Sequence, residues 1–579
     1  MAQKSKPRTP RKSSYRGFEG VDLKKTHSGD ESIALIQNFR ITDDGSLKKR
    51  CGYKTVYEGD ETFGDVKTSY SRTENGTEVC YFIQGNFVKK YNSKTQTVTS
   101  VGELEESDYT AFFFEYLDKF FVCNGLNIQE ITADKLSEAL FYIPLYGKDW
   151  ASFAGEQNEP LNLLWNKLAI SYKIVPPATS YLPLGDIKIS TIDALYRNGV
   201  LLSNDQYSIS EMYNAISVID FKEDDVFLAI VSFTGDEYYE KQKRALFDSC
   251  YTSLFYELNK NNIFFWGSKD HNKVFYSADP NTENMKITKT HSRSGKFYIP
   301  VDSYFSISSD NDRIKAFIRH YDRVLIMTES STWITNLQDL ESNSLKIKNI
   351  NSSIGCTLTN GCVRIENTLF SVGSDAIYAW SADTDELNEC NAYSISDPIK
   401  PLLDTDFFKK CSIHLHYAER EIWFYSSNST LIWIYNYKRK AWYCFNGLAP
   451  QVFLDGGSTP RFFKEYSLCI FDDSLHSDIC KRTETEIVGT LKSGELEFNS
   501  KHKKKLYSAT VRGSISGGSL KLNIILDSQK RLSYDVSPNS FHSVIPFRAK
   551  SGSFSSMTFE LTAKGKGEQI IHGIELDAD

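Results

Sequence analysis

Tyr81-Phe82-Ile83-Gln84-Gly85-Asn86-Phe87-Val88-Lys89-Lys90-Tyr91 is the stretch that decides the fold. An apolar, aromatic strand enters a Gly-Asn turn and returns as a second apolar strand, the pattern of a β-hairpin. The unit recurs. Phe120-Phe121-Val122-Cys123-Asn124-Gly125-Leu126-Asn127-Ile128 repeats it, and Ile263-Phe264-Phe265-Trp266-Gly267 is answered by Val274-Phe275-Tyr276-Ser277. Further copies start near Val324 (returning at Trp333-Ile334), Leu369 (Ile377 to Trp380), Ile422 (Leu431 to Tyr435) and Leu468. One long gap after Phe120 aside, the spacing is close to the roughly 40–50 residues of a propeller blade. A lone hairpin cannot bury both faces of its sheet, so radial stacking of such units is the economical solution. A non-radial array of hairpins in sandwiches is the alternative, and no Trp-Asp or kelch signature decides between them. The expected class is all-β, led by a β-propeller of about 6–7 blades.

Outside the repeats the pattern changes twice. Between 149 and 260 come Leu168 to Lys173, the pair Asn198-Gly199 between Leu195 and Leu202, then Tyr207 to Ile209, Ile216 to Ile219 and Val226 to Val231. Asn-Gly between apolar runs is a strong hairpin signal. An inserted β-sandwich is expected here, followed by one long helix from Asp236 to Lys260, where Tyr239, Ala245-Leu246, Cys250 and Leu254 recur at three-to-four spacing. After Thr485, short alternating strands between Gly/Ser turns predict a C-terminal β-sandwich. Its entry, Lys501 and Lys503-Lys504-Lys505, reads as a solvated charged edge. The expected division is a basic flexible arm (1–18), the propeller (19–148 and 261–484), the insert with its helix (149–260) and the C-terminal sandwich (485–579). The early stretch 36–57 is expected to complete the last blade.

Composition sets limits on function. The 579 residues carry a net charge of −7, which argues against a general nucleic-acid binder. The first sixteen residues differ: Lys4, Lys6, Arg8, Arg11, Lys12 and Arg16 stand there without an acid. A solvated tail is one reading; contact with DNA or an acidic partner is the other, because Lys and Arg gain affinity by releasing phosphate counterions. No apolar run follows to make a secretory signal, no segment is long and apolar enough to span a membrane, and the chain is expected to be cytoplasmic at synthesis. Eleven scattered cysteines, most within apolar runs, read as buried thiols rather than a disulfide framework.

Chemistry-bearing motifs are few. There is no Gly-x-Ser-x-Gly elbow, phosphate-binding loop or His-Glu-x-x-His. His414-Leu415-His416 puts two imidazoles on one strand face, but without a third ligand strand packing is favoured over metal binding. Asp310-Asn311-Asp312 and Asp383-Thr384-Asp385-Glu386 lack the glycine and distal glutamate of a calcium loop and read as solvated turns. Trp150, Trp423 and Trp442 could stack on sugars, though aromatic blade cores explain them better. No cofactor and no catalytic residue is expected.

Tyr15-Arg16-Gly17-Phe18-Glu19-Gly20-Val21-Asp22, Ile36-Gln37-Asn38-Phe39-Arg40 and Gly45-Ser46-Leu47-Lys48-Lys49-Arg50-Cys51-Gly52-Tyr53 resemble the opening of tailed-bacteriophage virion β-propeller proteins of the packaged-DNA stabilisation, tail-nozzle or neck type. In that family the opening reads N-x-x-x-x-x-G-x-L-x-x-R-x-G-Y after a G-V-D start. Gly45, Leu47, Arg50, Gly52 and Tyr53 fit, Asn38 stands one residue further upstream of Gly45 than the pattern has it, and Cys51 takes the place where proline is more usual. Pro160 to Leu164, Asn261 to Gly267 with Lys273 to Ser277, Asp322 to Met327 with Trp333-Ile334, and Gly355-Cys356 with Gly373 to Tyr378 extend the resemblance along most of the chain. It implies a virion structural protein at the head–tail connection or tail, bound to portal, adaptor or tail proteins in a homo-oligomeric ring, and it implies no catalytic residue. The alternative function is a receptor-binding or glycan-cleaving tail component.

Overall fold

Each repeated hairpin gains strands until it is one part of a four-stranded antiparallel sheet. The computed structural model describes residues 11–24, 32–149, 157–173, 181–184, 187–210, 214–220, 222, 224–249, 251–254, 261–269, 272–280, 295–307, 312–342, 345–380, 391–426, 429–454, 459–498, 502–536, 542–546 and 552–578. The fold is almost entirely β, and the chain divides into two compact units.

One unit comprises Val101–Ile354 with Thr384–Glu389. It holds the four-stranded sheets that start at Phe112, Tyr251 and Ile314. Their aromatic strands interlock: Phe114 stacks on Phe121, and Phe265 and Phe297 share the same core. The insert lies between the first two sheets in sequence, beginning at Leu145 rather than 149. Leu145–Asp149 pairs in parallel with Lys167–Lys173, which pairs in turn with Val226–Thr234. A smaller sheet of Tyr181–Pro183, Ala215–Val218 and Tyr207–Ser210 contributes Leu182, Ile216 and Val218 to the same core. Asn198 and Gly199, both at positive φ, turn the expected hairpin between Lys188–Arg197 and Val200–Leu201.

The helix is shorter than its periodicity predicts. It runs over Glu237–Phe247 (α1), capped by Asp236, whose carboxylate accepts from the Tyr239 amide at 2.7 Å. Tyr251–Leu254 is instead an edge strand paired with Ile263–Trp266. Tyr251 stacks on Trp266 at 5.2 Å, and the Trp266 indole donates to Ser253 Oγ, so sheet packing overrides a helical spacing that counts Leu254.

The other unit comprises Met1–Ser100, Gly355–Asp383 and Cys390–Asp579. It holds the sheets that start at Val66 and Cys362, and two further quartets embedded in larger sheets. Here both ends of the sequence interleave. Arg11–Arg16 (β1) pairs antiparallel with the strand Gln569–Ala578. Ile33–Gln37 (β2) bridges Ala441–Asn446 on one side and Gly489–Ser493 on the other, fusing the quartet from Ser412 to Asn446 with a C-terminal sheet into nine strands. Phe39–Ile41 (β3) and Leu47–Lys49 (β4) form a hairpin that adds to Gln569–Ala578. Gly52–Tyr57 (β5) is the fourth strand beside Val452–Leu454, Arg461–Lys464 and Ser467–Asp472. The stretch expected to complete the last quartet thus does so only through β5, while β1 to β4 join the C-terminal module.

That module has two facing sheets. Leu491, Leu522, Ile524, Phe559 and Leu561 on one meet Ala509, Val511, Ile571, Ile574 and Leu576 on the other in a single core. Its lysine entry is not uniformly solvated: Lys504 is buried, with its ammonium on the His502 carbonyl, while Lys503 and Lys505 are exposed and Lys501 lies outside the described residues.

Candidate functional site

The basic residues of the N-terminal arm are the one functional set that the sequence singles out. Lys4, Lys6 and Arg8 lie outside the described residues. Residues 11–16 are not a solvated tail but the strand β1, and its alternation explains how. Ser13 and Tyr15 point inward, with the Tyr15 ring edge-on to Phe559 at 5.1 Å. Lys12 and Arg16 fall on the opposite face, 74% and 58% exposed. There Lys12 approaches Asp577 at 3.8 Å, and Arg16 contacts Glu575, which Arg512 also reaches at 3.3 Å. Arg11 pairs through its backbone with Ala578. The structure therefore brings Lys12 and Arg16 together on a face already supplied with carboxylates. Glu575 and Asp577, two acids at strand spacing in the last strand, are the signal in the sequence that marks this pairing.

Beyond β1 the chain makes a cleft of about 590 Å³, lined by residues 14–22, Ser32, Ile33, Pro398, Arg439, Lys440 and Trp442. Backbone hydrogen bonds hold the segment that lines it: Phe18 N to Gly45 O, Val21 N to Trp442 O, and Leu23 N to Pro398 O, all 2.8–2.9 Å. Gly20 makes this route possible. It sits at φ +100°, and a Cβ there would stand 2.8 Å from the Trp442 nitrogen. The lining mixes Arg16, Arg439 and Lys440 with Glu19 and Asp22 and exposes backbone groups, a composition suited to a polypeptide segment of mixed charge.

The opening motif next to this cleft is a buried clamp. Asn38, at φ 57°, accepts from Arg50 Nε at 3.0 Å and from the Asn446 amide at 2.8 Å, and donates to Val488 O. Arg50 reaches Asp478 through both terminal nitrogens, at 2.8 and 2.6 Å, and is almost wholly buried. Gly45 has positive φ, as a turn there requires. Gly52 does not; it is held to hydrogen by the Ser477 carbonyl lying directly over it.

A second buried charge cluster centres on Glu421, which is fully shielded from solvent. Arg40 donates to both its oxygens, at 2.7 and 3.2 Å, Trp423 Nε1 donates at 2.7 Å, and the Tyr443 hydroxyl also donates to it. Burial opposes the charge, but Arg40 and these donors outweigh it and hold the carboxyl at about 2. The same contact drives the Tyr443 hydroxyl, already penalised by burial, well above the usual tyrosine range. With its lone pairs occupied, Glu421 is a structural anion.

His414 stacks on Phe453 at 4.6 Å, and His416 packs against Trp423 with Nδ1 3.5 Å from Glu421. Among the described residues no three His, Cys, Asp or Glu side chains converge as metal ligands. Trp423 and Trp442 are buried in aromatic cores, with Trp442 also bordering the cleft beside β1; Trp150 lies outside the described residues. Asp312 caps a turn through Thr328 and the Ser330 amide, whereas Asp310, Asn311 and residues 383–386 lie outside the described residues. The described cysteines are all free thiols, most of them buried.

Among solved structures, the chain is similar to a mitotic checkpoint complex structure at 10% identity, covering 75% of this chain and 92% of that one, with a TM-score of 0.32. It is also similar to an exo-β-1,3-galactanase from Phanerochaete chrysosporium at 8% identity, covering 88% and 95%, with a TM-score of 0.18. Similarity this slight carries no argument about function. No family model and no curated protein matches the chain.

Proposed function

We propose that this protein is a structural component of a tailed-phage virion, at the head–tail connection or in the tail, working through protein–protein contacts in a symmetric multi-copy assembly. In this reading the four-stranded sheets are blades of a β-propeller, and the insert and C-terminal module carry contacts to portal, adaptor or tail proteins. The observation that carries it is the opening motif. Asn38, Leu47, Arg50 and Tyr53, the residues that carry the family resemblance, are all buried, and Asn38 and Arg50 meet in one clamp. A motif whose members need one another structurally is a stronger mark of kinship than scattered matches.

The cleft beside β1 is the seat assigned to a partner's segment. The test is electron cryomicroscopy of the protein mixed with portal and adaptor, and of purified particles. A ring of this chain at the neck or tail is expected, and the charge reversal Lys440→Glu in the cleft should weaken its assembly. A protein that stays monomeric with every virion partner, and is absent from particles, sinks the proposal. Release of reducing sugar from host surface polysaccharide would favour the glycan-cleaving alternative.

A further inference from the structure

We propose that Lys243 and Asn166 join through an intramolecular isopeptide bond, with Glu240 carrying the proton, so that α1 is covalently tied to the loop leading into the strand Lys167–Lys173. The residues converge because α1 presents Tyr239, Glu240 and Lys243 within one turn on one side. The Lys243 ammonium nitrogen meets Asn166 Oδ1 directly. On its other side, Asn166 Nδ2 donates to Glu240 Oε1 at 3.2 Å and to Phe233 O at 3.3 Å. The Tyr239 hydroxyl lies 3.4 Å from Asn166 Oδ1 and is itself fixed on Asn162 O at 2.7 Å. The carboxamide is thus oriented at both ends. Its oxygen faces an amine and a hydroxyl, and its nitrogen faces a carboxylate.

That arrangement has the parts of an acyl transfer. A lysine attacks only as the free amine, and burial lowers the Lys243 pKa from the usual lysine range, against the opposing pull of Glu240. The ammonium first gives one proton to solvent. The Nζ lone pair then forms a bond to Asn166 Cγ, and the Tyr239 hydroxyl, 3.4 Å from Oδ1, turns its one hydrogen from Asn162 O to the developing oxyanion. Glu240 takes the second proton from Nζ and delivers it to Nδ2. The Cγ–Nδ2 bond breaks with its electron pair going to nitrogen, and ammonia leaves. The amine loses one hydrogen to the bond and the leaving amide nitrogen gains one, so no oxidant or cofactor is needed. A hydrogen-bonded cluster that never reacts is the competing account.

Mass spectrometry of the full chain separates them. The expected result is an intact mass lighter than the sequence by one ammonia, and, after digestion, a branched peptide joining the segment of Asn166 to that of Lys243. Asn166→Ala and Lys243→Arg should abolish the branch, and Glu240→Gln should slow its formation by about a hundredfold. Wild-type protein that keeps its full sequence mass after prolonged incubation, and yields only linear peptides, overturns the proposal. So does an ammonia loss that maps to Asn198-Gly199 as an unbranched succinimide. The wild-type digest decides alone, so a variant that fails to fold does not obscure the outcome.

Discussion

Arg50 and Glu421 show how this chain handles charge taken out of water. Removing one partner of a buried pair strands the other, at a cost of about 3–5 kcal/mol. Arg50→Ala should therefore cause one of the larger losses of melting temperature in the protein. Arg50→Lys should recover only part, because an ammonium cannot make the two-pronged contact to Asp478 while also reaching Asn38. Glu421 makes a prediction in pH. Its folded carboxyl is held at about 2, against 4.5 for an ordinary glutamate. A depressed carboxyl contributes stability that is fully present above the unfolded value and is lost as pH falls towards the folded one. Denaturant titrations should show stability falling between about pH 5 and 2 in the wild type. Glu421→Gln should be less stable at pH 7 and its curve flatter across that window; equal slopes would mean that the charge contributes nothing. Part of this is legible residue by residue in the sequence. Gly45, Asn38 and Arg50 stand out as a motif and Trp423 as core, but the partners Asp478 and Glu421 lie far along the chain and carry no local mark.

Strands are legible where aromatic residues crowd one hairpin, and illegible where composition disguises them. Six of the seven hairpin starts fall in the second strand of a quartet, as at Thr77–Gln84 and Glu421–Tyr425. The start at Leu468 falls in a third strand, whose outer neighbour β5 comes from the opposite end of the sequence. β1 is hidden because six basic residues in sixteen dominate its composition, although Ser13 and Tyr15 alternate inward as a strand requires. The ion pairs on its outer face are exposed and worth less than about 1 kcal/mol each. Lys12→Ala with Arg16→Ala should therefore leave the melting temperature nearly unchanged. Tyr15→Ala, which empties a core position, should lower it by several degrees. If the double basic variant proves the more damaging, the strand is held by charge rather than by burial. Deleting residues 36–57, which removes β3 to β5 and the pairing of β2 with Ala441–Asn446, should lower the melting temperature sharply; an unchanged value would show these strands to be dispensable.

At the scale of the whole molecule the expected C-terminal domain shares its sheets with strands from the N-terminal segment. Its sheets are completed by β1 to β4, so residues 485–579 produced alone should show no cooperative unfolding transition. A permuted chain that appends residues 11–57 after this segment should restore one. A cooperative transition for the isolated fragment would mean that the N-terminal strands merely decorate a finished fold. Sequence patterns mark elements, but nothing local records that strands from the two ends belong to one sheet, which is why a boundary at 485 is too simple. The interleaving also carries a temporal consequence. A ribosome adds about 5–20 residues each second, and β1 to β4 emerge almost the whole chain length before Gln569–Ala578, the strand that receives β1 and β4. Until Gln569–Ala578 is synthesised, β1 and β4 have no partner strand to pair with. A product cut short before Gln569 thus leaves β1 and β4 unpaired near its beginning as well as an unfinished sheet at its end.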